Sequence, residues 1–297
     1  KNNRKGHDNM EVTQPIFIVG SGRSGSSILH QMMAKEKQLM WFTNTLNKWP
    51  KNFRLNQMAV RFYQSPINIK KIIPDESYHF WDTYYRGFSR PIRDLESTDV
   101  SKKVKNEIRD MFYQLSNQNR KRMLIKITGY SRMGFLKEIF PDAKFVHIIR
   151  DGCSAANSLL NVRHWRGWRG PEQWNLGPLS SDEERLFEEC NQSFVALAGI
   201  YWNKCIDSFD RAAAINSIDY LEVKYSELCN NTIDIMKKIF EFSNLEWTNN
   251  YEKSLNKFSL KNENDRWKDQ LTEEQSMILE SICMRNNKKH HLRESHE

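Results

Sequence analysis

The sequence predicts an α/β fold of three layers, a central parallel sheet flanked by helices, and three observations predict it. Short apolar runs recur and end on glycine or a basic residue, as at Ile16 to Gly20, Met123 to Gly129 and Phe145 to Arg150. The runs at Ile16 and Phe145 lead straight into helix-like segments. Strands alternating with helices argue a parallel sheet covered on both faces. No linker interrupts the 297 residues, so the chain reads as one domain over 1–297.

Ile16 to Val19 is a continuous β-branched and aromatic run, the pattern of a strand buried on both faces. Ser26 and Ser27 then open a helix carrying Ile28, Leu29, Met32 and Met33. Val104, Ile108, Met111, Phe112 and Leu115 share one face of another helix. Met123 to Thr128 reads as a strand closed by Gly129, and it brings Lys126 near the sheet's end. Phe140 to Leu160 combines an apolar strand, a basic end at Arg150, a glycine turn and a helical run. A Ser181-x-x-Glu184 capping box precedes a long helix from Leu186 to Phe209. Asp219 to Leu228 alternates as a strand and runs into a helix start, and Thr232 to Phe242 is a further helix. Thr272 and Gln275 cap the last helix, whose apolar face is read as Met277, Ile278 and Ile282. Residues 1–11 and 285–297 are polar and read as flexible tails.

The segment Gly20-Ser-Gly22-Arg23-Ser24-Gly25-Ser26-Ser27 sits between the first strand and the first helix. Unpaired N–H groups and the helix dipole attract an anion there, and glycine lets a phosphate approach the backbone. Gly20 and Gly25 keep the spacing of a nucleotide P-loop, so a P-loop-like fold is expected, yet Ser26 stands in the position of that loop's lysine. The dinucleotide fingerprint is also spelled, but no acidic residue lies between Glu36 and Asp75 to hold a ribose. A Mg-dependent kinase or other P-loop phosphotransferase needs the lysine and a strand-end carboxylate. The one candidate, Asp151, follows Arg150, a neighbour better suited to an anion than to a metal. Arg23 brings bidentate, permanently charged donors into the cradle, where they can meet charge growing on a leaving oxygen.

Gly22-Arg23-Ser24-Gly25-Ser26-Ser27 resembles the loop of sulfotransferases that use 3′-phosphoadenosine 5′-phosphosulfate (PAPS), which reads Pro/Gly-Lys/Arg-Ser-Gly-Ser/Thr-Ser/Thr. The resemblance implies that these six residues bind the cofactor's 5′ end and that adenosine 3′,5′-bisphosphate (PAP) is the product. Arg150 at a strand end and Ser158 eight residues later are similar to the family's 3′-phosphate motif, an arginine fork with a hydroxyl on the next helix. Val223-Lys-Tyr225-Ser-Glu-Leu228 looks like the family's Val-x-Tyr-Glu-Asp-Leu stretch, which implies Tyr225 near adenine, although Ser226 replaces the usual glutamate. Lys261 and Arg266, ahead of Trp267-Lys268, resemble the family's late basic segment and inherit 3′-phosphate contacts. Lys126 is similar to a strand lysine that lies close to the sulfonate. Ile127 and Thr128 follow it where cytosolic small-molecule members carry a histidine base. The resemblance therefore points to a glutamate before the acceptor, Glu76, with His79 in reserve, in an aromatic segment of the kind that raises a carboxylate's pKa.

A net charge of +8 and a pI near 9.1 agree with a highly anionic cofactor. No divalent metal is implied. Cys153, Cys190, Cys205, Cys229 and Cys283 have no metal spacing and are odd in number, the usage of a reduced cytoplasmic protein. No signal peptide or membrane span is visible. A chain starting at Lys1 is also compatible with a Golgi-lumen enzyme trimmed of its anchor. Arg163 to Trp174 interleaves tryptophan and basic residues, a candidate lid over the cofactor or an anionic acceptor. It is too short and isolated for a nucleic-acid surface. The expected reaction moves the sulfuryl group of PAPS in line to a hydroxyl or amine of a small molecule such as a natural product, of a glycan or of a lipid. A Mg-dependent phosphotransferase and a non-catalytic nucleotide-binding module are the competing classes.

Overall fold

The computed structural model of the protein describes residues 13–65 and 72–293. Five strands, β1 (Ile16–Gly20), β2 (Leu39–Trp41), β3 (Arg122–Thr128), β4 (Lys144–Ile149) and β5 (Tyr220–Lys224), pair in parallel in the order β2-β3-β1-β4-β5. The helices before β3 are α1 (Ser26–Met33), α2 (Asn44–Lys48), α3 (Phe53–Gln64), α4 (Tyr78–Tyr84) and α5 (Lys102–Leu115). Then come α6 (Met133–Ile139), α7 (Gly152–Leu160), α8 (Ser181–Glu189) and α9 (Phe194–Asn216). After β5 follow α10 (Tyr225–Asn230), α11 (Thr232–Phe242), α12 (Asn249–Leu255), α13 (Trp267–Gln270) and α14 (Glu273–Lys289).

Helices cover both faces of the sheet, so the inner strands β3, β1 and β4 are buried almost throughout. At the β5 edge only Val223 is buried. From β1 the chain moves out to the β2 edge, returns through β3, then crosses β1 to reach β4 and β5. Its progress across the sheet reverses at β1, and ligand crevices open at the carboxyl ends of strands beside such a reversal. The register puts Gly20 level with Thr128 and Ile149 level with Lys224. Four chain segments therefore emerge together: the loop after β1, the end of β3, Arg150 and Tyr225. The helix that follows Glu76, α4, is anchored by Phe80 and Trp81, both fully buried against Phe42, Phe88 and Phe112. Each such ring contributes about 2–3 kcal/mol by burial.

Three sequence expectations change. The long helix breaks at Asn191 and Gln192, both in left-handed backbone (φ 52° and 53°), and the capping box is Ser180 with Glu183. On α14 the inward face is Leu279, Ile282 and Cys283, whereas Met277 is 64% exposed. Residues 285–293, read as tail, close α14 and dock beside α9, because their polar groups are partnered. Arg285 pairs with Asp207, Lys289 with Asp210, and His290 with both Asp210 and Glu222. The rest of both predicted tails, 1–11 and 294–297, lies outside the described residues.

Candidate active site

The loop after β1 is braced from within. Ser24 is fully buried, donates its hydroxyl to the Ser21 carbonyl at 2.8 Å, and packs so close to Gly20 that a Cβ there would lie 2.8 Å from its Oγ. Its side chain thus braces the turn from within. Arg23 (φ 70°) and Gly25 (φ 94°) both adopt left-handed backbone, which turns N–H groups into a concave anion nest. α1 then begins with no side-chain cap and no acidic residue in its first turn. Its leading N–H groups are left to an acceptor from outside the chain. Ser26 is buried at this helix start and Ser27 is exposed. Gly25 is required a second time by its neighbour, since a Cβ would stand 2.6 Å from Tyr225 Cε2 and closer still to Cδ2.

Arg150 and Tyr225 each follow paired strand ends, and the arginine's Cζ lies 4.9 Å from the tyrosine ring centroid. Arg150 donates to Asn264 Oδ1 at 2.9 Å and to the Glu263 carbonyl at 3.2 Å, with the Arg23 carbonyl 3.5 Å away. Arg23 Nε donates to Ser158 Oγ at 3.0 Å. The residues expected at the two ends of the cofactor thus meet in one place. Burial lowers the Arg150 pKa, Tyr225 and Asp151 oppose that, and the like charge of Arg23 adds to it. A guanidinium nevertheless stays charged, so two like charges stand near each other with, among the described residues, no carboxylate bridging them, a setting that suits an anion. Burial pushes the Tyr225 hydroxyl up to about 12, and it donates to the Lys261 carbonyl at 3.3 Å. The Lys261 and Arg266 side chains are exposed, Arg266 pairing with Glu263 at 3.3 Å. Asp151 caps α7 through Ser154 N at 2.8 Å and also receives the Ser154 hydroxyl, Asn287 and Arg293. Both of its oxygens are engaged within the protein, which does not suit a Mg²⁺ ligand.

On the other side of the loop, Asp75 turns the chain by accepting from Ser77 N at 2.6 Å and from Asn47. Buried Ser77 takes φ 52°. The turn delivers Glu76 to the end of β3, where Thr128 Oγ1 donates to its Oε1 at 2.7 Å and Lys126 Nζ lies 3.4 Å from the same oxygen. Lys126 and Thr128 are two apart on the strand and share a face. Lys126, only 9% exposed, also donates to Ser27 Oγ at 2.9 Å, so one amine joins the loop to Glu76. Among the described residues no hydrogen bond reaches Glu76 Oε2. Tyr78 steadies the strand end by donating to the Thr128 carbonyl at 3.0 Å and accepting from Thr128 N at 3.2 Å. Burial, with the Glu76 charge adding, pushes its hydroxyl up to about 12. His79 is exposed, and its recorded hydrogen bond is to its carbonyl, from Thr83. The structure leaves its ring outside this cluster.

A nest, an arginine pair and a lysine–glutamate pair surround one loop, and the sequence profile of the Sulfotransferase family matches residues 15–249, which hold all three. The chain belongs to the Sulfotransferase family. Curated sulfotransferase relatives include the omega-hydroxy-beta-dihydromenaquinone-9 sulfotransferase Stf3 of Mycobacterium bovis and of Mycobacterium tuberculosis. Each is 26% identical over 162 residues, 46% of this chain and 42% of the relative. The match therefore spans about two fifths of those relatives' length. The solved sulfotransferase STF9 of Mycobacterium avium shares the fold with a TM-score of 0.60 at 16% identity, over 94% of this chain and 77% of that one. The sulfotransferase domain from the curacin biosynthetic pathway gives 0.51 at 13% identity, over 91% and 97%.

Four residues of this candidate site were not singled out by sequence: Thr128, Tyr78, Arg132 and Tyr201. Thr128 and Tyr78 stand two positions after Lys126 and Glu76, a spacing that could have marked the first as sharing the lysine's face. Arg132 is buried and ties the β3–α6 turn to the carbonyls of Phe88, Thr128 and Tyr130. Tyr201 lies within α9, and its hydroxyl would be 3.5 Å from a Cβ on Gly22 and 3.9 Å from one on Gly129. Burial raises its pKa, and no pattern in the sequence distinguishes it from a core tyrosine. The candidate lid is part core and part surface: Trp165 and Trp174 are buried, Trp174 meets Tyr201 edge-on at 6.3 Å, and Trp168 is 58% exposed. All five cysteines are free. Among the described residues no three His, Cys, Asp or Glu side chains gather as a metal site, and no helix is long and apolar enough to cross a membrane.

Proposed function

We propose that this chain transfers the sulfuryl group of PAPS to a hydroxyl or amine of a small molecule, glycan or lipid, releasing PAP. The observation that carries this reading is Lys126 Nζ, held between Ser27 Oγ of the loop at 2.9 Å and Glu76 Oε1 at 3.4 Å. A cation in that position supports a transfer point between a donor side at the loop and an acceptor side at Glu76. The residues fit PAPS: the uncapped start of α1 and the nest around Gly22 to Ser27 suit its 5′ phosphosulfate. Arg150 and Ser158 suit the 3′-phosphate, Tyr225 offers a ring for adenine, and Lys261 and Arg266 add rim charge. Glu76 acts as the base through its free Oε2, while Thr128 and Lys126 hold Oε1. The acceptor oxygen or nitrogen attacks sulfur, the bond from sulfur to the phosphate oxygen breaks, and the acceptor's proton passes to Glu76. Arg23 meets the charge that builds on the departing PAP. Most of the rate then comes from positioning and electrostatics, as in phosphoryl transfer.

The test is incubation with sulfur-labelled PAPS and an acceptor panel in buffer containing EDTA, followed by mass spectrometry. Transfer appears as a gain of about 80 Da on the acceptor with release of PAP. Turnover of ATP that requires Mg²⁺, with PAPS left intact, would replace this reading with a phosphotransferase. PAP binding with no loss of label from PAPS would leave a nucleotide-binding module.

A further inference from the structure

Beyond the transfer centre, a cleft of about 590 Å³ opens between two loops and is lined by Arg90, His164, Arg166, Glu172 and Trp174. We propose that this cleft binds an anionic group, a carboxylate or phosphate, carried by the acceptor, with Arg90 and Arg166 as its ligands. The inference rests on the sulfotransfer reading and adds the class of acceptor to it.

Three observations carry it. Arg90 and Arg166 are exposed, and among the described residues neither has a carboxylate within 4.0 Å or a side-chain hydrogen bond. The lining sets two unpaired guanidiniums against one carboxylate, Glu172, and includes the His164 imidazole. A site with surplus forked donors selects carboxylate or phosphate. The walls also lead back to the reacting centre. One wall is the loop that leaves α4, the helix starting two residues after Glu76. The other includes Trp174, whose ring meets Tyr201, and Tyr201 reaches over Gly22 and Gly129. The two walls touch at Gly177 (φ 72°), where a Cβ would run into the Ile92 carbonyl, so the cleft has a fixed width at its base. Finally, in the proposed function the cofactor's own anionic groups are taken by the nest, Arg23 and Arg150. The charge in this second cleft is left for the other substrate. Arg132 joins the Phe88 carbonyl, two residues before Arg90, to the Thr128 carbonyl beside Glu76, so an acceptor reaching Glu76 with its hydroxyl has the Arg90 loop next to it.

The test uses the full chain saturated with PAP, so that an added anion cannot occupy the loop after β1. Inorganic pyrophosphate, glucuronate and neutral glucose are titrated separately while the Arg Nε–Hε signals are followed by NMR. Saturable shifts at Arg90 and Arg166 with either anion, and none with glucose, support the proposal. Response to pyrophosphate alone assigns a phosphorylated acceptor, and response to glucuronate alone a carboxylated one. R90Q/R166Q should weaken anion binding by about tenfold or more and leave PAP affinity unchanged. Both side chains are exposed, so the variant is expected to fold. Absence of saturable shifts up to about 50 mM anion, or equal affinity in the double variant, would overturn the proposal. Failure of PAP to bind the unaltered chain would instead count against sulfotransfer, and the two arginine signals report on the cleft in either case.

Discussion

Gly25→Ala attacks the closest approach in the cofactor site. The position has φ 94°, a conformation that costs an L-residue about 1–2 kcal/mol. The new Cβ would also stand 2.6 Å from Tyr225 Cε2, well inside van der Waals contact. That ring is not a loose tip: its hydroxyl holds the Lys261 carbonyl and Arg150 covers its face. Displacing it costs about 1–3 kcal/mol, the range for overpacking. The single change should therefore cost about 2–5 kcal/mol, shared between stability and affinity for PAP. Tyr225→Ala removes the ring but leaves the backbone strain. In that background Gly25→Ala should cost only about 1–2 kcal/mol, a coupling of about 1–3 kcal/mol. Calorimetric titration with PAP and urea midpoints on the four proteins of the cycle measure it. An equal cost of Gly25→Ala in both backgrounds would refute the packing of Tyr225 against the loop.

Glu76→Gln keeps the size and the bond from Thr128 but cannot take a proton, so turnover should fall about 100-fold or more while PAP affinity changes little. Turnover unaltered from about pH 6 to about pH 9 would remove Glu76 as the base. Arg150→Ala should weaken PAP binding more than Arg23→Ala, by about tenfold or more, whereas Arg23→Ala chiefly slows transfer; equal losses of binding would contradict that division. Stability should fall on the alkaline side. Burial disfavours the charged form of His290, but the hydrogen bonds its ring donates to Asp210 and Glu222 raise its pKa to about 9 from 6.5, so its contribution is complete below 6.5 and is lost as pH rises through about 9. The loss is on the order of 3 kcal/mol at most, and His290→Gln should flatten the fall in urea midpoint between about pH 7 and about pH 9.5.

The fold was legible, and the residues of the candidate anion side could be named, because both depend on local sequence. A β-branched run buried on two faces, a glycine loop and a helix start are written in consecutive residues, and Gly20 to Ser27 and Arg150 with its helix carry them. Glu76 and Lys126 were nameable from a resemblance, yet their meeting depends on a left-handed turn at Ser77 that no propensity favours. Ser24 illustrates the reverse case: a hydroxyl in a phosphate loop reads as a ligand, and only the fold shows that it braces the Ser21 carbonyl. Residues 285–293 misled because polar composition was read as solvation. Their partners on α9, on β5 and at the start of α7 lie scores of residues away, and a pairing at that separation leaves no periodic trace in the chain.

That C-terminal segment also explains how Arg150, the proposed 3′-phosphate ligand, is held in place. Asp151 sits at the helix start beside Arg150 and is 3% exposed, a burial that an isolated carboxylate would not tolerate. Asn287 donates to its Oδ2 at 2.9 Å and accepts from Gly152 N at 2.8 Å, while Arg293 donates at 2.5 Å and lies over the Trp267 ring at 5.0 Å. Asp151 in turn receives Ser154, whose hydroxyl also contacts the Asn264 carbonyl, and Asn264 Oδ1 takes Arg150 Nε. A chain of polar contacts therefore runs from α14 to the Arg150 guanidinium, the group proposed to hold a phosphate. Each link lies in a partly buried setting where a missing partner costs about 1–3 kcal/mol, so the arrangement tends to be complete or to fail together. An arginine fixed in this way loses little conformational freedom when the anion arrives, and the affinity gained is set by folding rather than by binding.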